Sequence, residues 1–295
     1  MGAVFLFSLE FIKSLCYNNK KYAGVIKIKY IVATDFDGTL CQSYPDGYRI
    51  NDKTLEAIKD FRKEGNLFGV VTGRSYIWAY PVFKELNTFE FDYIISDNGA
   101  QCFDKDGGLV FSNKIKAYNG FAKDYVNTVL GFSDEVEEAG ICFEKDRFNF
   151  ENNNPEGNGG YYSKYSVLDE LFEKDEFVMV NAVCKNDEAA SMLKDEIVLK
   201  FGEYLDPAQN GRCLDITAKG INKASGIGQY AKAMGVPYDN IYSAGDNYND
   251  LPMVKDFHGC AVRGAVEALK AEAEFVLDDI GSLIEIILQK EKENG

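Results

Sequence analysis

The chain has little positive charge: 32 lysines and arginines stand against 47 aspartates and glutamates, a formal charge of −15 over 295 residues. Such a surface repels nucleic-acid backbones and anionic lipid headgroups, so neither a nucleic acid nor a membrane is expected as a partner. Paired cysteines are missing too. The thiols Cys16, Cys41, Cys102, Cys142, Cys184, Cys213 and Cys260 form no CxxC and are odd in number, which fits a reducing cytoplasm and small core residues. After the first residues no run reaches the ~18 uninterrupted apolar positions of a membrane-spanning helix, and no internal repeat is found. Met1 to Cys16 is apolar but lacks a basic start and holds Glu10 and Lys13 within the apolar run, which argues against an export signal. Residues 1–24 read instead as a loosely docked extension or a misassigned start.

What is present is a hydrophobic fraction of 46%, enough to fill one large domain or two modest ones. Short apolar runs, Ile28 to Ala33, Leu67 to Val71, Tyr93 to Ile95 and Ile241 to Ala244, each stop at a polar or glycine-containing turn. They have the pattern of buried parallel strands. Helix-like segments lie between them, Asn51 to Glu64 opened by an asparagine cap and Lys223 to Met234 closed by Gly235 and Pro237. This alternation predicts an α/β fold with a doubly wound, parallel-sheet (Rossmann-like) core. From about Gln101 to Arg212 the rhythm breaks, which predicts an inserted smaller α/β domain. The expected division is 1–24, an extension; 25–100 and 213–295, the core; and 101–212, the insertion. Within it the tract Asn152 to Gly160 is too polar to bury much surface and reads as a loop. Glycines near Asn98-Gly99 and Asn210-Gly211 are the expected hinges.

In such sheets ligands bind beyond the carboxyl ends of the strands, and those ends carry Asp35, Thr72 and Asp246. In Asp35-Phe36-Asp37-Gly38-Thr39-Leu40 two carboxylates two residues apart can reach one substrate, while Gly38 allows a turn whose N–H groups cradle an anion. Alone, such a run is as often an ordinary acidic turn. Thr72, before Gly73 and Arg74, offers a hydroxyl to a phosphoryl oxygen. Lys223 brings positive charge to a helix start, although most lysines so placed are simply solvated. Gly245-Asp246-Asn247-Tyr248-Asn249-Asp250 supplies hard oxygen ligands that suit magnesium better than zinc.

In this order, from Val25 onward, the four stretches resemble the haloacid dehalogenase superfamily (HAD). The long insertion and Ser96-Asp97-Asn98-Gly99-Ala100 at its edge look like the Cof-type phosphatases, subfamily IIB, whose insertion is a cap. The resemblance implies a Mg²⁺-dependent hydrolase of small phosphorylated metabolites, a monomer or homodimer, that forms a phosphoaspartate on Asp35. It implies Asp35, the Asp37 carbonyl and Asp246 as metal ligands, and Asp37 as general acid and then base. Thr72 and Lys223 would hold the phosphoryl oxygens, with Asn249 and Asp250 behind the metal. Gly38, Gly73, Arg74 and Asn98 are the expected phosphate- and substrate-binding residues of the core. Of the cap's Lys145, Arg147, Lys164 and Lys185, Arg147, between Phe143 and Phe148, is the favoured contact for a second anionic group. Ala224, and Val262-Arg263-Gly264-Ala265, depart from the family pattern without removing a catalytic group. A phosphomutase or a non-catalytic sensor of phosphorylated metabolites is the alternative. The lone histidine, His258, lies past the last motif in an expected loop and is not needed as a base.

Overall fold

A computed structural model describes residues 28–45, 47–86, 90–145, 147–152 and 176–294. The expected extension 1–24, Lys164 and all but the first residue of the polar tract therefore lie outside the described residues.

The core is an eight-stranded sheet of β1 (Ile31–Thr34), β4 (Leu67–Val71), β5 (Tyr93–Ser96), β6 (Gln101–Asp104), β7 (Leu109–Ser112), β13 (Ile241–Gly245), β14 (His258–Val262) and β15 (Phe275–Leu277), in the order β15-β14-β13-β1-β4-β5-β6-β7. From β15 to β5 every pairing is parallel, and β6 and β7 extend that edge antiparallel. The central strand β1 is buried throughout, and Ile31 is level with both Ile241 and Leu67. That register brings the three strand ends, and the residues after them, to one height. A small hairpin, β2 (Gln42–Tyr44) with β3 (Gly47–Arg49), stands beside the end of β1.

Helices flank the sheet. Of these, α1 (Asp52–Lys63) buries Thr54, Ala57, Ile58 and Phe61 at helical spacing, and its cap Asn51 accepts from the Thr54 N–H at 2.7 Å. α1 packs on the C-terminal helix Ile280–Asn294, and α2 (Tyr76–Glu85) follows β4.

The insertion is a second layered unit with its own core. Its sheet consists of β8 (Val136–Cys142), β9 (Arg147–Asn152), β10 (Met179–Cys184), β11 (Leu205–Asn210) and β12 (Cys213–Ala218), in the order β11-β12-β10-β8-β9 and all antiparallel. Helices α3 (Phe121–Leu130) and α4 (Asp187–Phe201) bury Phe121, Tyr125, Leu193 and Phe201 with Leu214 and Ile216 of the sheet.

Both junctions fall later than the sequence suggested. β6 and β7, expected in the insertion, pair with the core through β5, and β12, expected in the core, pairs with β10 and β11. Neither predicted hinge sits at a junction. Gly211 turns the β11–β12 hairpin within the cap, and Gly99 is buried in a 3-10 turn, Asp97–Gly99, against the core. The chain returns to the core between Ala218 and Asn222, where Asn222 caps α5 (Lys223–Met234) reciprocally with Ser225.

Gly99 sets how close α5 comes to the sheet. Its φ is +101°, and a Cβ there would lie 2.0 Å from the Asn222 carbonyl oxygen, a backbone atom that cannot swing aside. Gly99→Ala is therefore expected to lower the urea midpoint by an amount equivalent to ~1–3 kcal/mol. It should also lower turnover, because the neighbouring Lys223 must move; an unchanged midpoint would show that α5 is free to shift.

Candidate active site

The site lies where β1, β4 and β13 end. Asp35 follows β1 and is 7% exposed, its N–H donating to the Ala244 carbonyl of β13 at 2.8 Å. Lys223, the first residue of α5, is 1% exposed, and its Nζ donates to Asp35 Oδ1 and to Asp250 Oδ1, both at 2.6 Å. The other Asp250 oxygen accepts from the N–H groups of Asp246 and Asn247 at 3.0 and 3.1 Å. Asp250 is thus committed to orienting the lysine and the β13 loop. Asp246, after β13, accepts from the Thr39 hydroxyl at 2.9 Å. A Cβ on Gly38 would lie 2.7 Å from Asp246 Oδ2, so a glycine, here with φ +80°, allows the two loops to meet.

Asp35, Asp246 and Asp250 each bring an oxygen to within 4.8 Å of the others. Burial pushes the Asp35 carboxyl well above its ordinary range against the pull of Lys223, and burial followed by the Asp250 charge pushes Asp246 up. Burial opposes the charge on Lys223, but Asp250 and Asp35 outweigh it and raise its pKa. One ammonium thus faces three crowded carboxylates. With Asp250 held by Lys223 and backbone amides, one oxygen each of Asp35 and Asp246 remains uncommitted to Lys223 or Thr39. This hard, electron-rich pair, short of counter-charge, fits a small divalent cation such as Mg²⁺.

Thr72 is 1% exposed and accepts from the Arg74 N–H at 3.1 Å. Arg74, expected on the phosphate, is turned onto Asp37, with Nε to Oδ2 at 2.8 Å and Nη2 to Oδ1 at 2.7 Å. Asn98 is buried at φ +53°, donating to Asp215 Oδ2 at 3.2 Å and facing Asn249 at 3.5 Å. It ties core to cap. A Cβ on Gly73 would lie 2.6 Å from the Asp215 carboxylate, so β12 of the cap rests on the Thr72 loop. Burial raises Asp215 to about 6 and the adjacent buried Asp97 to about 7.

A cavity of about 550 Å³ opens between these residues and the cap sheet, with Asp35, Asp37, Thr72, Gly73, Arg74, Asp246 and Asn249 on its core side. Arg147 lines the cap side, as do Glu138, Asn181 and Asp215, which the sequence reading missed. Arg147 donates to Glu138 Oε1 at 2.6 Å, to Asn149 at 2.7 Å and to Asn181 at 2.9 Å. Asp215 carried a signal, since Cys213, Asp215 and Thr217 alternate along one face of a strand leading to the Lys223 motif. Tyr48, at the cavity edge, carried none. Lys145 reaches the Gly107 carbonyl at 3.2 Å, and Lys185 is exposed. His258 begins β14 rather than lying in a loop, at the opposite end of the sheet from the site, between Glu274 and the Asp239 carbonyl.

A family profile described as haloacid dehalogenase-like hydrolase matches residues 32–281. The 5-amino-6-(5-phospho-D-ribitylamino)uracil phosphatase YcsE of Bacillus subtilis is 23% identical over 262 residues, covering 84% of this chain and 89% of that one. Pyridoxal phosphate phosphatase YbhA of Escherichia coli is 22% identical over 269 residues, covering 84% and 93%. A solved structure of the HAD subclass IIB sugar phosphatase BT4131 shares the fold, with a TM-score of 0.70 and 20% identity over 88% of this chain and 99% of that one. Among the described residues no helix is long and apolar enough to cross a membrane. With four motifs converging on one site and a profile spanning both core and cap, the chain belongs to the haloacid dehalogenase-like hydrolases.

Proposed function

We propose that this protein is a magnesium-dependent phosphatase of small phosphorylated metabolites, working through a phosphoaspartate on Asp35. The observation that carries the reading is the buried Lys223 bridging Asp35 and Asp250 at 2.6 Å each, behind a cap-roofed cavity that Asp35 and Asp37 line. Lys223 fixes the Asp35 carboxylate in place for one of its oxygens to attack phosphorus. The new Oδ–P bond forms as the bond from phosphorus to the ester oxygen breaks, and Asp37 gives its proton to that departing oxygen. Asp37, now a carboxylate, takes a proton from water as the water oxygen attacks the phosphoaspartate, releasing phosphate and restoring Asp35. Mg²⁺ held by Asp35, the Asp37 carbonyl and Asp246 would screen the repulsion between these carboxylates and the phosphoryl group. Thr72 and Lys223 would steady the phosphoryl oxygens.

The phosphatase relatives favour hydrolysis, and so does the charge balance of the cavity. A mutase must hold a second phosphate, yet the two arginines lining the cavity are already paired, Arg74 with Asp37 and Arg147 with Glu138. A sensor has no need of Asp35, Asp37 and Asp246 together.

Asp35→Asn keeps the side-chain volume but removes the nucleophile and one of the two charges paired with the buried Lys223, so the variant should fold with a lowered melting temperature and lose turnover by at least ~10³-fold. Residual hydrolysis within about tenfold of the parent would sink the covalent route. Chelation should stop hydrolysis of p-nitrophenyl phosphate, and added Mg²⁺ should restore it, because Asp35 and Asp246 would otherwise face the phosphate unscreened. Full activity after exhaustive chelation would remove the metal from the mechanism. Glu138 and Asp215 on the cap wall outnumber Arg147, so esters with a second phosphate or carboxylate should be poor substrates. Across a metabolite panel their kcat/KM should fall about tenfold or more below neutral polyol phosphates of similar size. Equal rates for the two classes would require a cationic contact that the described residues lack.

A further inference from the structure

The Asp37 carboxylate would handle two different protons in succession, yet it sits on a turn with its side chain 44% exposed. An aspartate so placed samples several rotamers unless something holds it. Arg74 engages both of its oxygens side-on, Nε to Oδ2 at 2.8 Å and Nη2 to Oδ1 at 2.7 Å. This bidentate fork fixes the carboxylate plane as well as its position. The guanidinium is itself braced. Nη2 also donates to the Tyr48 hydroxyl at 2.7 Å, and the group lies 5.1 Å from the Tyr48 ring centroid and 5.8 Å from that of Phe36. Phe36 is fully buried and packs edge-on against Phe83, while Tyr48 is carried by the β2–β3 hairpin. Arg74 therefore spans three segments, the end of β4, the Asp35 turn and the hairpin, and all its described side-chain bonds are spent on Asp37 and Tyr48.

We infer that Arg74 is a positioning residue that aims the Asp37 carboxylate at the leaving-group oxygen, with Tyr48 as its brace, and is not a ligand of the phosphoryl group. The inference rests on the reading of Asp37 as the proton carrier and concerns only how that group is oriented. A misaimed Asp37 hurts most where proton transfer matters most: departure of an alkoxide, and activation of water on the phosphoenzyme. Departure of a nitrophenolate needs little help from a proton.

The test compares Arg74→Gln, Arg74→Lys, Tyr48→Phe, Asp37→Asn and the Asp37→Asn/Arg74→Gln double variant in the full chain with Mg²⁺. Glycerol phosphate and p-nitrophenyl phosphate are the substrates, orthovanadate the probe of phosphoryl binding, and stopped flow the means of separating transfer from hydrolysis. Arg74→Gln should lose about 10²-fold in kcat/KM on glycerol phosphate. On the aryl ester it should keep a rapid burst of nitrophenolate followed by a slow steady state, with vanadate inhibition changed by less than about threefold. Arg74→Lys should recover little of the loss, because an ammonium lacks the fork. Tyr48→Phe, which keeps the ring and so the packing, should lose about three- to tenfold in kcat/KM on glycerol phosphate while leaving the burst phase on the aryl ester unchanged. In the Asp37→Asn background Arg74→Gln should add less than about threefold, since the two act through one group.

Weakened vanadate binding with equal losses on both substrates would place Arg74 on the phosphoryl group and overturn the inference. Losses below about threefold on glycerol phosphate in both Arg74 variants would overturn it as well, leaving a surface ion pair. Asp37→Asn retaining activity within about tenfold would instead strike the proton-carrier reading itself. An inactive Asp37→Asn beside an active Arg74→Gln would strike the positioning role alone.

Discussion

The site is organised around one buried ammonium. Lys223 is 1% exposed and touches two carboxylates at 2.6 Å, and a charge so deep must be paired to be tolerated at all. Removing one partner of a buried ion pair costs ~3–5 kcal/mol, so the fold and the chemistry depend on the same three residues. The geometry around them follows from that demand. β1 and β13 pair in register so that Asp35 and the Asp246–Asp250 loop face each other; the Asn222 cap starts α5 at Lys223; and Gly99 lets the helix close over the strand ends. Asp250 gives its second oxygen to two backbone amides, which fixes the lysine's partner in turn.

Much of this was legible because buried parallel strands announce themselves as apolar runs, and glycine, asparagine and proline punctuate them. The Asn51 cap and the Gly235 stop follow from local chemistry, since each supplies bonds or dihedrals that few other residues can. The domain edges did not follow. A strand such as Cys213–Ala218 alternates in the same way whichever sheet it joins, and its partner, β10, lies some thirty residues upstream. Glycine alone could not locate a hinge either, because a hairpin turn and a close helix contact call for the same residue. Arg74 was legible as a site residue but not in its role: two residues after Thr72, a guanidinium can reach a phosphate or a neighbouring carboxylate, and only the position of Tyr48 and Asp37 separates the two.

The acidity of the chain bears on how it meets an anion. With a formal charge of −15, its long-range field repels phosphate esters, so attraction must act at short range, inside the cavity and screened from the rest of the surface. The groups able to supply it are few. Lys223 is shared between two carboxylates, Arg74 is held by Asp37 and Arg147 by Glu138. Under the proposed function, what remains for a phosphoryl group is the bridging lysine, the Thr72 hydroxyl, the N–H groups of the Asp35 turn and the divalent cation that Asp35 and Asp246 would hold. Among the described residues such a set fits one phosphate and leaves nothing for another, which would link the overall charge of the chain to the kind of ester its cavity accepts.

The cap closes this cavity through a contact that is costly to hold. Asp215 of β12 lies against Gly73 and accepts from Asn98, while Asp97, fully buried beneath, has one oxygen without a partner among the described residues. Burial raises these two acids to about 6 and about 7. An acid raised above its ordinary value of 3.8 weakens the state that buries it once it must ionise. That cost is absent in acid, grows as pH rises past 3.8 and is complete above about 7. A junction made of hydrophobic residues would carry no such cost and would bind the cap firmly. Two buried acids at the contact between core and cap thus make that contact pH-sensitive, tightest in acid and weakened as they ionise.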